Sequence, residues 1–401
     1  MIKKIYYGKA NYGQEEINAV IKVLKKSSLT LMDGPKVREF ETKVPKLFGK
    51  KFGLMVNSGS SANLLALKSL KLKSGGEVIT PLLTFSTTIA PIYQCNLTPK
   101  FVDVIKNTFI ADTEQVLKSI NKKTVAIMLP NLLGNIPDWK SIYLYCQKKN
   151  IKLIEDSADT IGFKIDGAYQ KYTDISTSSF YASHLITGAG FGGIVCFNNK
   201  DQYKHALLLR GWGRSSALFG ETESLKKRFS AKISNIDYDS KYIFSEMGYN
   251  FLPSEISASF ALEQLKKINI FKKKRNENFN FLKKTIDDEL SDFFDTAKIK
   301  KDKDTVWLAF PIVINNSKIK RKNLQIFLEK KNIQTRTIFT GNILKQPCMK
   351  NKKYEIMNSK WTTESDRVMS NGILLGCHHG LKKNQLKQII FYLKKFVNKY
   401  R

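Results

Sequence analysis

The sequence predicts an α/β protein, with a large domain built on a mainly parallel sheet and a smaller C-terminal α+β domain. Three observations predict it. Short apolar runs alternate with amphipathic stretches from about Asn11 to Phe197. The texture changes after about Ser254, where long helical stretches take over. The composition is that of a globular chain, with 401 residues, 42% hydrophobic and 25% charged. At ~150 residues per domain that length suits two or three folding units. The division is placed at residues 1–255 and 256–401.

The elements follow in chain order. Glu15–Lys26 and Ser60–Leu72 have helical spacing. Val78–Leu82, Val125–Leu129, Leu153–Ile154 and Ile194–Phe197 are short continuous apolar runs, as expected of strands buried on both faces. Glu255–Arg275 reads as one long helix with Ile256, Phe260, Leu262 and Leu265 on its apolar side. Val306–Ile314 is strand-like, Arg321–Lys331 helical, and Asn384–Val397 a final amphipathic helix.

Several function classes are disfavoured. No apolar run approaches the ~18–20 residues of a membrane helix. The N-terminus, MIKKIYYGKANYG, lacks the apolar region of a secretory signal. Cys95, Cys146, Cys196, Cys348 and Cys377 are scattered, with no metal-ligand or redox spacing. A reduced cytoplasmic protein is expected. The net charge of +32 raises nucleic-acid binding. Yet only nine of the 67 basic residues are arginine, the side chain that reads bases bidentately. The lysines are spread along the chain, as on a solvated surface whose field also favours an anionic substrate.

Three motifs carry chemistry. Val56-Asn57-Ser58-Gly59-Ser60-Ser61-Ala62-Asn63 leads from a strand into a helix. Its amides and hydroxyls suit a phosphate, though an ordinary polar helix cap has the same pattern. Glu155-Asp156-Ser157-Ala158-Asp159 puts acids at the end of a strand, where open parallel sheets gather ligands. An Asp there suits a protonated ring nitrogen, and equally a capping acid. Ser178-Ser179-Phe180-Tyr181-Ala182-Ser183-His184 runs into Gly188-Ala189-Gly190-Phe191-Gly192-Gly193. A lone histidine is more often structural than catalytic, but this one sits between hydroxyls and a glycine-rich turn.

In their order and spacing these motifs resemble the DegT/DnrJ/EryC1/StrS family, sugar aminotransferases of pyridoxal-phosphate fold type I. The resemblance starts near Gly34–Glu41. It continues through Thr80-Pro81, Thr84-Phe85, Gly248-Tyr249-Asn250 and Glu255, and ends near Gly376–Leu381. It implies a large domain with a seven-stranded type of sheet. It also implies roles. Gly59, Ser60 and Ser179 would hold the cofactor phosphate, and Asn250 would reach it from the neighbouring subunit of a homodimer with shared sites. Phe85 would stack on the pyridine ring, and Asp156 would pair with the ring N–H. Asp159 stands where aminotransferases usually have Gln.

One position departs from the family. Most members have a lysine that links the cofactor covalently, and here it is His184. No lysine lies between Lys171 and Lys200. Imidazole cannot make that link but can act as a general base near neutral pH. This matches the histidine-containing sugar 3-dehydratase branch, which works with pyridoxamine phosphate made from pyridoxal phosphate. The activity implied is loss of the C3 hydroxyl from a nucleotide-linked 4-keto-6-deoxyhexose. Arg210-Gly211-Trp212-Gly213-Arg214, Thr335-Arg336, Thr340-Gly341-Asn342 and Gln346-Pro347 also resemble this branch. Arg210, Arg336, Asn342, His378 and His379 are candidate substrate contacts, with a surface turn an equal alternative for the two histidines. One sub-branch carries an iron–sulfur cluster on cysteines after the Trp-Gly-Arg motif. Ser215–Tyr242 has no cysteine, so no cluster and no other metal is expected. The cluster-free sub-branch, which uses L-glutamate as amino donor, fits better. A dehydratase coupled to an external reductase, and a lapsed nucleotide-sugar-binding member, remain as alternatives.

Overall fold

The structure, a computed structural model, describes residues 4–26, 31–219, 224–299, 303–357 and 364–401. Its main sheet has eight strands. In spatial order they are Phe52–Val56, Gly193–Phe197, Ile175–Ser179, Lys152–Asp156, Thr124–Pro130, Glu77–Pro81, Thr98–Val102 and Glu355–Ile356. Gly193–Phe197 runs antiparallel to both neighbours, and the remaining pairs are parallel. The short Glu355–Ile356 strand, from the C-terminal half, is the eighth where the family resemblance implied seven.

The strands are apolar because helices cover both faces. On one face Val78, Met128 and Ile154 pack against helices Gly59–Ser69 and Ser86–Gln94. On the other, Ile79, Ile127 and Leu153 pack against Thr113–Ser119 and Trp139–Cys146. Further along that face, Met55 and Ile194 meet Pro35–Lys43 and Glu255–Lys266. Side chains alternate along a strand. Asp156 therefore shares the face of Ile154, and Glu155 shares the face of Leu153.

The C-terminal part has an antiparallel sheet of Phe294–Thr296, Phe310–Ile314 and Gly372–Leu375. Helices Ile268–Glu289, Arg321–Lys330 and Lys383–Val397 contribute to the core around it. Ile5 pairs in parallel with Ile333 and joins that core, which brings the N-terminal segment across the molecule.

The long helix expected over Glu255–Arg275 is two helices, broken at Lys267 with φ −97° and ψ 0°. The Lys267 ammonium is held there by Glu16 at 2.8 Å. Only Phe310–Ile314 of the expected strand is paired. Glu255 explains why the Gly34–Glu41 motif belongs with it. Its carboxylate accepts the amides of Gly34, Lys36 and Val37 at 3.0, 3.1 and 2.8 Å, so it caps helix Pro35–Lys43 from a distant part of the chain. No helix among the described residues is long and apolar enough to cross a membrane.

Candidate active site

A cleft of about 880 Å³ opens at the carboxyl ends of the parallel strands. Its walls come from Asn57–Ser60, Phe85–Thr88, Asp156, Ser179 and His184, with Tyr7, Leu308, Arg336 and Phe339 opposite. The size is that of a pocket for a cofactor together with a substrate.

The first wall is a helix start. Ser58 caps helix Gly59–Ser69 by accepting the Ser61 amide at 3.1 Å. The next residues, Gly59 and Ser60, face the cleft. A Cβ on Gly59 would come within 2.6 Å of the Ser179 Cβ. Only glycine lets these two segments close into one cradle. Amides and hydroxyls at a helix N-terminus, with Ser179 beside them, form a donor set that fits a phosphate.

The floor is Asp156. Its Oδ2 accepts from Thr88 Oγ1 and from Asn63 Nδ2, both at 2.8 Å, and its Oδ1 accepts the Ala158 amide at 3.1 Å. Asn63 is itself oriented by Thr177, whose hydroxyl donates to Oδ1 at 2.6 Å. Burial pushes the Asp156 carboxyl above its ordinary range, while Thr88, Asn63 and Ala158 pull it back. Such a buried acceptor fits a cationic ring N–H, whose charge would replace the water it has lost. Phe85 stands 51% exposed at the head of helix Ser86–Gln94, available to stack on a flat ring. Strand parity settles which of the paired acids faces the cleft. Glu155 points the other way, near the buried Lys50 and within 3.4 Å of Asn131 Nδ2.

The next wall is the Ser179–His184 turn. The His184 amide donates to Tyr181 O at 3.0 Å, and ring Nδ1 lies 3.1 Å from Ser179 O. A carbonyl can only accept, so Nδ1 carries the proton and Nε2 keeps its lone pair. Nε2 lies 3.9 Å from Asp159 Oδ1, too far for a hydrogen bond. Burial pushes His184 down to about 4, with the Arg275 cation adding to it and the Ser179 carbonyl opposing it. Burial pushes Asp159 up to about 7, against the Leu133 amide that it accepts at 2.8 Å. At neutral pH the imidazole is uncharged.

Other candidates lie elsewhere. Arg210 is 2% exposed and is not a wall of the cleft. Its guanidinium pairs with Glu41 and Asp33, each at 2.8 Å, and its Nη1 donates to Met55 O. It braces helix Pro35–Lys43 against the sheet. Asn342 is turned to Asp366 at 2.9 Å, away from the lining, while Arg336 does line the cleft. His378 Nε2 faces Tyr6 O at 3.2 Å, and His379 stacks on Phe271 with centroids 4.0 Å apart. Neither is a wall of the cleft. Asn250 is exposed, pairs with Gly211, and does not line the cleft of its own chain.

The sequence reading assigned no role to Asn63, Thr88, Tyr7 or Arg275. Asn63 stands one helical turn after Gly59, and Thr88 one turn after Phe85, which is a usable signal. Tyr7 and Arg275 arrive from remote segments and leave no local one. No group of three His, Cys, Asp or Glu suited to a metal occurs among the described residues.

The chain is 33% identical to the lipopolysaccharide biosynthesis protein RfbH of Salmonella typhimurium, over 89% of this chain and 84% of that one. It is 31% identical to GDP-4-keto-6-deoxy-D-mannose 3-dehydratase of Yersinia pseudotuberculosis, over 96% and 97%. A crystal structure of GDP-4-keto-6-deoxymannose-3-dehydratase with a trapped PLP–glutamate geminal diamine superposes with a TM-score of 0.86 at 27% identity, covering 97% of this chain and 100% of that one. The model of the DegT/DnrJ/EryC1/StrS aminotransferase family matches residues 10–394, so the chain belongs to that family and is a PLP-dependent, sugar-modifying enzyme.

Proposed function

We propose that the chain removes the C3 hydroxyl of a nucleotide-linked 4-keto-6-deoxyhexose, with pyridoxamine phosphate as working cofactor and His184 as base. The observation that carries this reading is the neutral imidazole in the cleft, with its Nε2 lone pair unshared and its Nδ1–H held by Ser179 O. The similarity to a GDP-4-keto-6-deoxy-D-mannose 3-dehydratase over nearly the whole chain supports it.

In this reading Gly59, Ser60 and Ser179 bind the cofactor phosphate, and Phe85 covers the ring. Asp156 holds the ring N–H, and Asp159 lies beside it. The bound cofactor supplies an amine for the C4 ketone and a ring that takes up an electron pair. His184 Nε2 accepts the proton released at the reacting carbon. Arg336, which lines the cleft, binds substrate in this reading. Asn250 serves the partner subunit's site in a homodimer. L-glutamate is the amino donor, which the PLP–glutamate adduct of the structural neighbour supports.

The test is product identity by mass spectrometry with GDP-, CDP-, dTDP- and UDP-linked 4-keto-6-deoxyhexoses. His184→Asn fills similar space and should retain cofactor, while 3-deoxy product formation falls ~10²–10⁴-fold. Parent-rate dehydration by this variant would make the histidine a bystander.

A further inference from the structure

Helix Ile268–Glu289 carries one arginine among its lysines, and it is fully buried. All five N–H donors of Arg275 have acceptors. Nη2 donates to Ser183 O at 3.0 Å and to His184 O at 2.9 Å. Nη1 donates to Leu308 O at 2.8 Å and to Trp307 O at 3.4 Å. Nε donates to His379 Nδ1 at 3.3 Å. No carboxylate among the described residues forms an ion pair with it. Burying a cation without a counter-charge is costly, so this position is under a strong constraint.

The acceptors show what the constraint is. Two are the carbonyls of His184 and the residue before it. Two lie just ahead of strand Phe310–Ile314, and one follows strand Gly372–Leu375. We propose that Arg275 is a positioning residue for His184: its planar fork ties the His184 backbone to the opposite wall and sets where Nε2 stands in the cleft. The proposal rests on the reading of His184 as the base. Lysine, with three donors on a point charge, cannot reproduce a five-acceptor planar array. The guanidinium also acts through its field. Asp159 lies 3.9 Å from His184 Nε2 and the Tyr181 ring stands edge-on to the imidazole, and the guanidinium is the cation whose field reaches His184.

Two substitutions separate geometry from charge, and both are read on kinetics and on NMR titration of the chain's four histidines. Arg275→Lys keeps the charge and loses the fork. Its kcat should fall ~10–100-fold with KM for the nucleotide sugar within about threefold, as for a misplaced catalytic group. Arg275→Gln removes the charge. His184 should then titrate at a higher pH in the cofactor-free protein, and the acid limb of kcat should move with it. Parent kcat in a folded Arg275→Lys protein, with an unmoved His184 titration in Arg275→Gln, would overturn the proposal. So would a loss of cofactor affinity equal to the loss of kcat, because the residue would then hold the cleft as a whole. If neither variant folds, His379→Leu removes a single acceptor. Because the guanidinium charge stays in place, kcat should fall by a smaller factor while the His184 titration stays where it is, and an unchanged kcat would refute the idea. If His184→Asn dehydrates at the parent rate, the base reading fails on its own. The NMR titration still decides whether Arg275 governs His184.

Discussion

The two sides of the cleft are built differently. The floor around Asp156 is assembled from neighbouring strand ends and helix starts of one sheet. Its donors, Asn63, Thr88 and Ala158, all lie on elements that pack directly on strand Lys152–Asp156 or continue it. The His184 wall is a turn whose backbone is pinned from the far side, by Arg275 about ninety positions later in the chain. The Asp156 floor is thus a local product of the α/β fold, while the His184 wall depends on contacts from the C-terminal part. Binding and reaction should therefore respond to different substitutions.

The sharpest way to break that comparison is at Asp156 itself. Asp156→Asn keeps the shape and one acceptor oxygen but removes the charge that a ring cation needs. Removing one partner of a buried charged pair costs roughly 3–5 kcal/mol. Pyridoxamine phosphate should bind at least ~10²-fold more weakly, measured by calorimetry, while the His184 titration shifts little. If affinity stays at the parent value, the floor does not hold the ring nitrogen.

A smaller change sharpens the same point. Thr88→Val is nearly isosteric and removes one of the donors to Asp156 Oδ2. Hydrogen bonds to charged groups contribute about 1.5–3 kcal/mol. Cofactor affinity should fall ~10–100-fold, with kcat at saturating cofactor close to the parent. A fall in kcat at saturation would show that floor and wall are coupled after all.

The contrast also explains what could be read from the chain. Gly59, Ser60, Phe85, Asp156, Ser179 and His184 all line the cleft. Each sits in a short motif at a strand end or a helix start, where spacing along the chain maps directly onto space. Strand parity, which separates Asp156 from Glu155, is also a sequence-level rule. Arg210 is different. It stands in a motif that suggested substrate, yet its partners Asp33 and Glu41 lie 177 and 169 residues away. Asn342 is likewise drawn to Asp366, and His379 to Arg275 and Phe271. Nothing local distinguishes a polar side chain that meets ligand from one that meets a remote part of its own chain. The break at Lys267 was hidden for the same reason, since the acid that holds its ammonium, Glu16, is 251 residues away.

The least change tests the pair that joins floor and wall. Asp159 follows the floor motif and faces His184 Nε2 at 3.9 Å. The two groups are pushed in opposite directions, Asp159 up to about 7 and His184 down to about 4. A carboxyl whose pKa is raised on folding keeps its proton where the unfolded chain has lost it. Between about pH 4 and pH 7 it therefore weakens the fold as pH rises. A histidine whose pKa is lowered does the reverse, strengthening the fold as pH rises from about 4 to the ordinary imidazole value near 6.5. Across their common window the two slopes oppose each other. Asp159→Asn retains an oxygen for the Leu133 amide and removes only the acid's slope. Compared with the parent, the variant should gain stability on going from pH 5 to pH 7, by about 2 kcal/mol, since one pKa unit corresponds to about 1.4 kcal/mol and Asp159 keeps its proton up to about pH 7. Urea unfolding of the cofactor-free proteins at the two pH values measures this difference. A difference between variant and parent that stays constant would mean that Asp159 is already ionised at pH 5, and that His184 faces a carboxylate.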